Sequence, residues 1–264
     1  MRFRRLLAFA GFALLTQQSY AVGSFVELPT AAPLRVLGSQ NLNSDQLHIL
    51  PGAIISTDAN GINTYAPPST FVELASNQSP VNFGTTRIGT FSDYVFRDTS
   101  DGKLVFGSRL TLNANGEIND IFRGGFTGDS AAAAWTFSTD FDLRAYSAAR
   151  TATGLNQGAD VFSPDKVDFR SDINLQEGNP FTGLYLVKTN APNFAFSSLV
   201  DPAHNLAPII LRQGGEEGQT VLSVYLPGYV PAAAVPEPET YGLMVVGFAL
   251  MAWTARRRRR QQLA

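Results

Sequence analysis

Residues 86–112 read TRIGTFSDYVFRDTSDGKLVFGSRLTL, three β-branched and aromatic runs set around turn residues. TRIGTF (86–91), YVFR (94–97) and KLVFGSRLTL (103–112) are rich in Val, Ile, Thr, Tyr and Phe, whose branched or flat side chains pack well on a pleated surface. Asp101-Gly102 between the last two runs predicts a hairpin with a type I′ turn, which needs positive φ at both central positions.

Outward from this stretch the same grammar continues. AIIST (53–57) and TFVEL (70–74) precede it; AWTFST (134–139), KVDFR (166–170), GLYLVKT (183–189) and QTVLSVYL (219–226) follow. Asn60-Gly61 and Asn115-Gly116 add turn signals. No long apolar period of 3.6 residues stands out, and no fixed-period repeat argues for a solenoid or propeller. The 19 Phe residues suffice to fill a sandwich core. The expectation is a mainly β chain, a single antiparallel β-sandwich or jelly-roll-like domain over residues 22–235. One or two short helices are expected, in the alanine-rich stretch 131–134 and in AYSAAR (145–150).

The two ends have a different grammar. The chain opens with Arg2, Arg4 and Arg5, an apolar run LLAFAGFALL (6–15) and a polar TQQSYA. That order of charged, apolar and polar regions predicts a secretory signal peptide over residues 1–21. Ser19 and Ala21 place small residues for cleavage between Ala21 and Val22, with cleavage after Gly23 as the alternative. At the other end, Pro236 and Pro238 break any incoming structure, an apolar helix is predicted over 241–255, and Arg256, Arg257, Arg258, Arg259 and Arg260 follow. Fifteen helical residues reach about 22 Å, short of the ~30 Å hydrocarbon core. The arginines supply a cytoplasmic stop-transfer signal that the short transmembrane helix lacks on its own.

Pro236, Glu237 and Pro238, the short apolar run and the terminal arginine cluster resemble the PEP-CTERM sorting signal, here over residues 236–260. The resemblance implies processing by exosortase, an integral membrane enzyme, in bacteria that make exopolysaccharide or biofilm matrix. The usual small residue after the motif is Glu239 here. The body is similar to an uncharacterised group of such proteins, through FSDYVFRD (91–98), LVFGSRL (104–110), EINDIFRGGF (117–126) and stretches downstream. No activity comes with that similarity.

Charge and composition narrow the function. Eight of the 20 basic residues and two of the 22 acidic ones lie in the two ends, leaving a body with 12 basic and 20 acidic residues, a net charge of −8. Such a body repels phosphate backbones, so nucleic acid is not an expected partner. With no Cys, disulfides, thiol nucleophiles and thiolate metal sites are excluded. Only His48 and His204 are present, without zinc-ligand spacing, and no nucleophile elbow, P-loop or dinucleotide fingerprint occurs. No catalytic, metal or cofactor-binding residue is therefore nominated, and no cofactor is expected.

Carboxylates are the abundant reactive groups. Asp140 and Asp142 would share a strand face; Asp165, Asp168 and Asp172 cluster; Asp98 and Asp101 flank a glycine turn. A structural Ca²⁺ needs six to eight oxygens from such loops. Ion pairs with Arg97, Arg109, Arg123, Arg144, Arg150 and Arg170 are the simpler expectation. The leading functional expectation is an exported, non-enzymatic envelope or extracellular-matrix protein, served by the Sec machinery and an exosortase and associated with exopolysaccharide. The alternative is a secreted carbohydrate-binding β-sandwich using Trp135, Tyr146 or Tyr185 as stacking platforms. A secreted hydrolase is the third, and would need a concave pocket with facing carboxylates of shifted pKa.

Overall fold

Along residues 104–112 the side chains alternate in destination. Leu104, Phe106, Leu110 and Leu112 enter one apolar cluster, while Val105 enters another on the opposite face. A strand buried on both faces belongs to the middle of a sheet that is covered on both sides. The computed structural model describes residues 25–37, 53–55, 67–137, 145–178, 180–214, 220–233 and 251, and within these the chain is a two-sheet antiparallel β-sandwich.

The first sheet contains β1 (Val26–Glu27), β3 (Ala53–Ile55), β4 (Phe71–Phe83), β5 (Thr86–Asp98), β6 (Leu104–Leu112), β8 (Ala132–Phe137) and β11 (Tyr185–Thr189). Its order is β1-β8-β11-β6-β5-β4, with β3 pairing parallel to β8. The second sheet has the order β14-β13-β7-β10-β9-β2, from β2 (Val36–Leu37), β7 (Glu117–Arg123), β9 (Ala145–Ala149), β10 (Val167–Asn174), β13 (Ile209–Gln213) and β14 (Leu222–Leu226). A small ribbon joins β12 (Asn193–Ser197) to β15 (Gly228–Ala232). Phe91, Val95, Phe106 and Leu110 of the first sheet meet Ile121, Phe169, Ile209 and Leu211 of the second in one core.

The connections follow the turn chemistry with two departures. Gly84 alone carries a positive φ, 59°, in the two-residue turn between β4 and β5, the pattern of a type II′ hairpin. Between β5 and β6 only Gly102 is left-handed, φ 73°, so the expected type I′ turn at Asp101-Gly102 is absent. Instead residues 99–103 form a longer loop, closed by Asp98 N donating to Lys103 O and tied by Asp98 Oδ1, which accepts from Ser100 N and Oγ. Asn115-Gly116 lies in an irregular link, with a bend at Ala114-Asn115, that carries the chain from β6 in the first sheet to β7 in the second.

The helix expectations at 131–134 and 145–150 are overturned: the first stretch leads into β8 and the second contains β9. Alanine's helix propensity is a weak prior that strand neighbours override. Ala133 and Ala134 are fully buried between β1 and β11, where small side chains let the sheet be covered closely on both faces. The helical structure among the described residues of the sandwich is two 3-10 turns, Leu175–Glu177 and Pro202–His204.

Candidate functional site

Alternation on β5 and β11 sends Phe96 and Lys188 to the outer face of the first sheet, away from the sandwich core. There Phe96, Val105, Ala134, Leu184 and Leu186 form a second buried cluster, with Phe25, Phe71 and Tyr94 packed half-buried against it. The rings run in a chain: Phe25 to Phe71 at 6.2 Å, Phe71 to Phe96 at 5.8 Å, and Phe96 to Tyr94 at 5.6 Å between centroids. Gly107 on β6 makes room for it, since a Cβ there would lie 2.9 Å from Phe96 Cε2.

At one end of this shelf opens a cleft of about 440 Å³, lined by Phe25, Phe71, Thr70, Asp98, Asp101 and Lys188 among others. Lys188 Nζ lines it, 2.6 Å from Asp98 Oδ2, 3.0 Å from Asp101 Oδ2 and 4.5 Å from the centroid of Phe25. Burial alone would raise the Asp98 carboxyl, but the hydrogen bonds from Lys188 and Ser100 outweigh it and hold the group below its ordinary value. The cleft is therefore a charged floor of fixed ion pairs beside an aromatic wall. The ammonium between Asp98 and Asp101 takes the place a cation would need, so the pair is an ion-pair site.

The remaining carboxylates are scattered. Asp168 is fully buried on the outer face of the second sheet, 2.9 Å from Arg35 NH1, which also reaches Asp160 through Nε at 2.6 Å. Asp120 faces Arg170 Nε at 3.5 Å and accepts from Leu155 N at 2.8 Å. Burial, and then the neighbouring Asp120 charge, raises the Asp168 carboxyl well above its ordinary value despite Arg35. Burial likewise raises Asp120 against the pull of Leu155 N and the nearby guanidinium groups. Asp165 accepts from Gly125 N at 3.0 Å and Thr127 Oγ1 at 3.2 Å, so it is not gathered with Asp168 as the sequence spacing suggested. No group of three or more His, Asp or Glu suited to a metal ion occurs among the described residues.

Of the expected arginine partners, Arg123 pairs with Asp93 and Arg170 with Asp120. Arg150 instead donates to the carbonyls of Phe126, Asp129 and Pro164, pinning two loops. Trp135 and Tyr185 are core residues, 1% and 2% exposed, and cannot serve as stacking platforms. The side chain of Tyr146, together with Asp140, Asp142, Arg144 and His48, lies outside the described residues. His204 is exposed and touches Asp201 at 2.6 Å. Phe25, Phe71 and Lys188 do not stand out in the sequence. Strand alternation marks Lys188 as facing opposite to Val187, but nothing local links it to Asp98.

Fold and cleft together define an antiparallel β-sandwich with an open, polar-floored aromatic cleft, no more specific than that. The identification comes from the tail: residues 234–260 match the PEP-CTERM protein-sorting motif. The chain thus carries the sorting signal read by exosortase, which implies export and a transient membrane anchor before processing. No curated protein and no solved structure matches the chain. Pro236, Glu237, Pro238 and Arg256 to Arg260 lie outside the described residues, as do Ala21 and Val22. Among the described residues, no helix is long and apolar enough to cross a membrane.

Proposed function

We propose that the sandwich is a non-enzymatic component of the cell envelope or extracellular matrix, exported through the Sec machinery, released from its tail by an exosortase and retained by exopolysaccharide. The observation that carries this reading is the sorting motif at residues 234–260 behind a β-sandwich body. The non-enzymatic part is supported by the commitments of the buried acids. Asp93 faces Arg123, Asp168 faces Arg35, and Asp120 faces Arg170. All three carboxyls are 1% exposed or less, so none is presented to a substrate.

The test is fractionation of cells expressing the full chain, with and without the exosortase. The expected result is a processed body that sediments with the cell's exopolysaccharide only when the exosortase is present. A processed body that stays in the free supernatant, apart from the polymer, would reject the matrix assignment.

A further inference from the structure

We infer that the cleft between Phe25, Phe71 and Lys188 is a binding subsite for an uncharged sugar unit of a polysaccharide. The inference names the ligand class for the polysaccharide association proposed above and rests on that reading. Three observations on the outer face of the first sheet carry it.

The first is shape. A cleft of about 440 Å³ falls within the ~300–1,000 Å³ of small-molecule sites. It lies on a sheet face rather than in the core, so a chain longer than one unit can extend beyond it.

The second is the aromatic wall. Phe25 and Phe71 are half-buried, near-parallel rings, interplanar angle 28°, that line the cleft; Lys188 Nζ stands over the Phe25 ring at 4.5 Å, so the stacking contact with a sugar falls to Phe71. Flat apolar faces pack against the C–H faces of a pyranose while leaving its hydroxyl groups free. Phe71 is backed by the fully buried Phe96, 5.8 Å between centroids.

The third is the polar floor. An ionised carboxylate offers about four acceptor positions. Asp98 accepts from Ser100 N, Ser100 Oγ and Lys188 Nζ, and Asp101 accepts from Lys103 N and Lys188 Nζ. Both keep room for a ligand hydroxyl, and both are held in place by the contacts they already make. Glu27, Asp98 and Asp101 outnumber Lys103 and Lys188 around the cleft, leaving it with one net negative charge. That charge is part of a body whose net charge is −8. Uronate or phosphate units are repelled, and a metal ion is kept out by the Lys188 ammonium between the two carboxylates.

The experiment uses the full chain in detergent micelles, titrated by calorimetry with cellohexaose, laminarihexaose and mannohexaose, and with hexagalacturonate as the charged control. Phe71→Leu keeps apolar volume and removes the ring; Asp101→Asn keeps the shape and removes the charge. The expected result is binding of at least one neutral oligomer, no stronger binding of hexagalacturonate, and a loss of about tenfold in affinity, equivalent to about 1.4 kcal/mol, in Phe71→Leu. Unchanged near-ultraviolet dichroism shows that the variant is folded; if it is not, the Asp101→Asn titration decides, with weakened neutral binding expected. Failure of all three neutral oligomers, tighter binding of the acidic one, or unchanged affinity in the folded variants overturns the site. Co-sedimentation of wild type with the cell's own polymer, measured alongside, separates this failure from that of the matrix assignment: a protein that still sediments with the polymer but ignores the oligomers has lost only this cleft.

Discussion

Asp93 on β5 and Arg123 on β7 meet across the two sheets, Oδ1 to NH2 at 2.8 Å, with side chains 1% and 0% exposed. The pair is built into surrounding backbone. Arg123 donates to Gly107 O, Ser108 Oγ and Tyr229 O, and Tyr229 N donates to Asp93 Oδ2 at 2.7 Å. One guanidinium thus joins both sheets and the β15 ribbon. Removing either partner leaves a buried, uncompensated charge, at a typical cost of about 3–5 kcal/mol. Arg123→Met and Asp93→Leu are each expected to destabilise by that amount, and the double variant by less than the sum of the two. Urea denaturation of all four proteins gives the coupling; additive effects would show that the charges act independently.

The carboxylates on the two outer faces should respond to pH with opposite signs. Asp168 is raised by burial and by Asp120, so the folded chain keeps a proton that the unfolded chain gives up near pH ~3.9. Its contribution to stability therefore falls as pH rises from that point through its folded value. Asp98 is lowered, because the hydrogen bonds from Lys188 and Ser100 outweigh its burial, so its contribution is present above pH ~3.9 and is lost as pH falls through its folded value. Relative to wild type, Asp168→Asn should gain stability as pH rises from about 4, whereas Asp98→Asn should diverge only below about pH 4, losing relative stability as pH rises from the folded value of Asp98 to about 3.9 and running parallel to wild type above it. Urea midpoints measured at stepped pH check both slopes. Curves parallel over the whole pH range for either variant would remove that group from the account.

Two glycines on the same hairpin separate lack of space from backbone strain. A Cβ on Gly89 would sit 2.3 Å from the Thr111 carbonyl oxygen, inside the β5–β6 ladder, whereas Gly84 has φ 59° and nothing within 4 Å. Gly89→Ala must push two strands apart, an overpacking cost of about 1–3 kcal/mol or more. Gly84→Ala meets only the left-handed penalty of about 1–2 kcal/mol. Thermal unfolding is expected to rank Gly89→Ala as the less stable of the two, with broadened exchange protection along β6 as the local sign of a shifted ladder.

The strands were readable because their apolar residues are branched or aromatic and their ends are glycine turns. β6 and β10 fall within two residues of where the runs KLVFGSRLTL and KVDFR begin. β5 reads as two runs in the sequence because Ser92 and Asp93 interrupt the apolar pattern, yet Asp93 faces inward to Arg123 and the strand runs unbroken. A buried polar residue disguises a strand when its partner lies on another sheet. The same holds for the outer faces. Arg35 lies 133 positions from Asp168, and Lys188 lies 90 from Asp98. Only the order of strands brings such pairs together. Trp135 and Tyr185 could be recognised as large aromatics on strands, but which face each one took depended on the register of β8 against β11.

The tail's three parts should fail in three different ways. Within the sorting motif at 234–260, Pro236, Glu237 and Pro238 are the expected recognition element, ahead of the 15-residue apolar run 241–255 and Arg256 to Arg260. As a helix, a run of that length would cover about 22 Å of a ~30 Å hydrocarbon core, so weak insertion that depends on the arginines to stop translocation is expected. Replacing the five arginines with Ser removes the barrier to passage, and unprocessed protein should appear in the medium. Extending the apolar run by about five Leu residues, to the ~20 of a stable span, should turn a transient anchor into a lasting one. Replacing Pro236, Glu237 and Pro238 with Ala leaves both hydrophobicity and charge of the anchor in place, so insertion should persist while cleavage stops. Mass spectrometry of membrane and extracellular fractions should then find the intact chain in the inner membrane and little processed body outside. Processing of the triple-alanine variant at the wild-type rate would mean that the motif is not what the sorting enzyme reads, and that the apolar run and arginines act as an ordinary anchor.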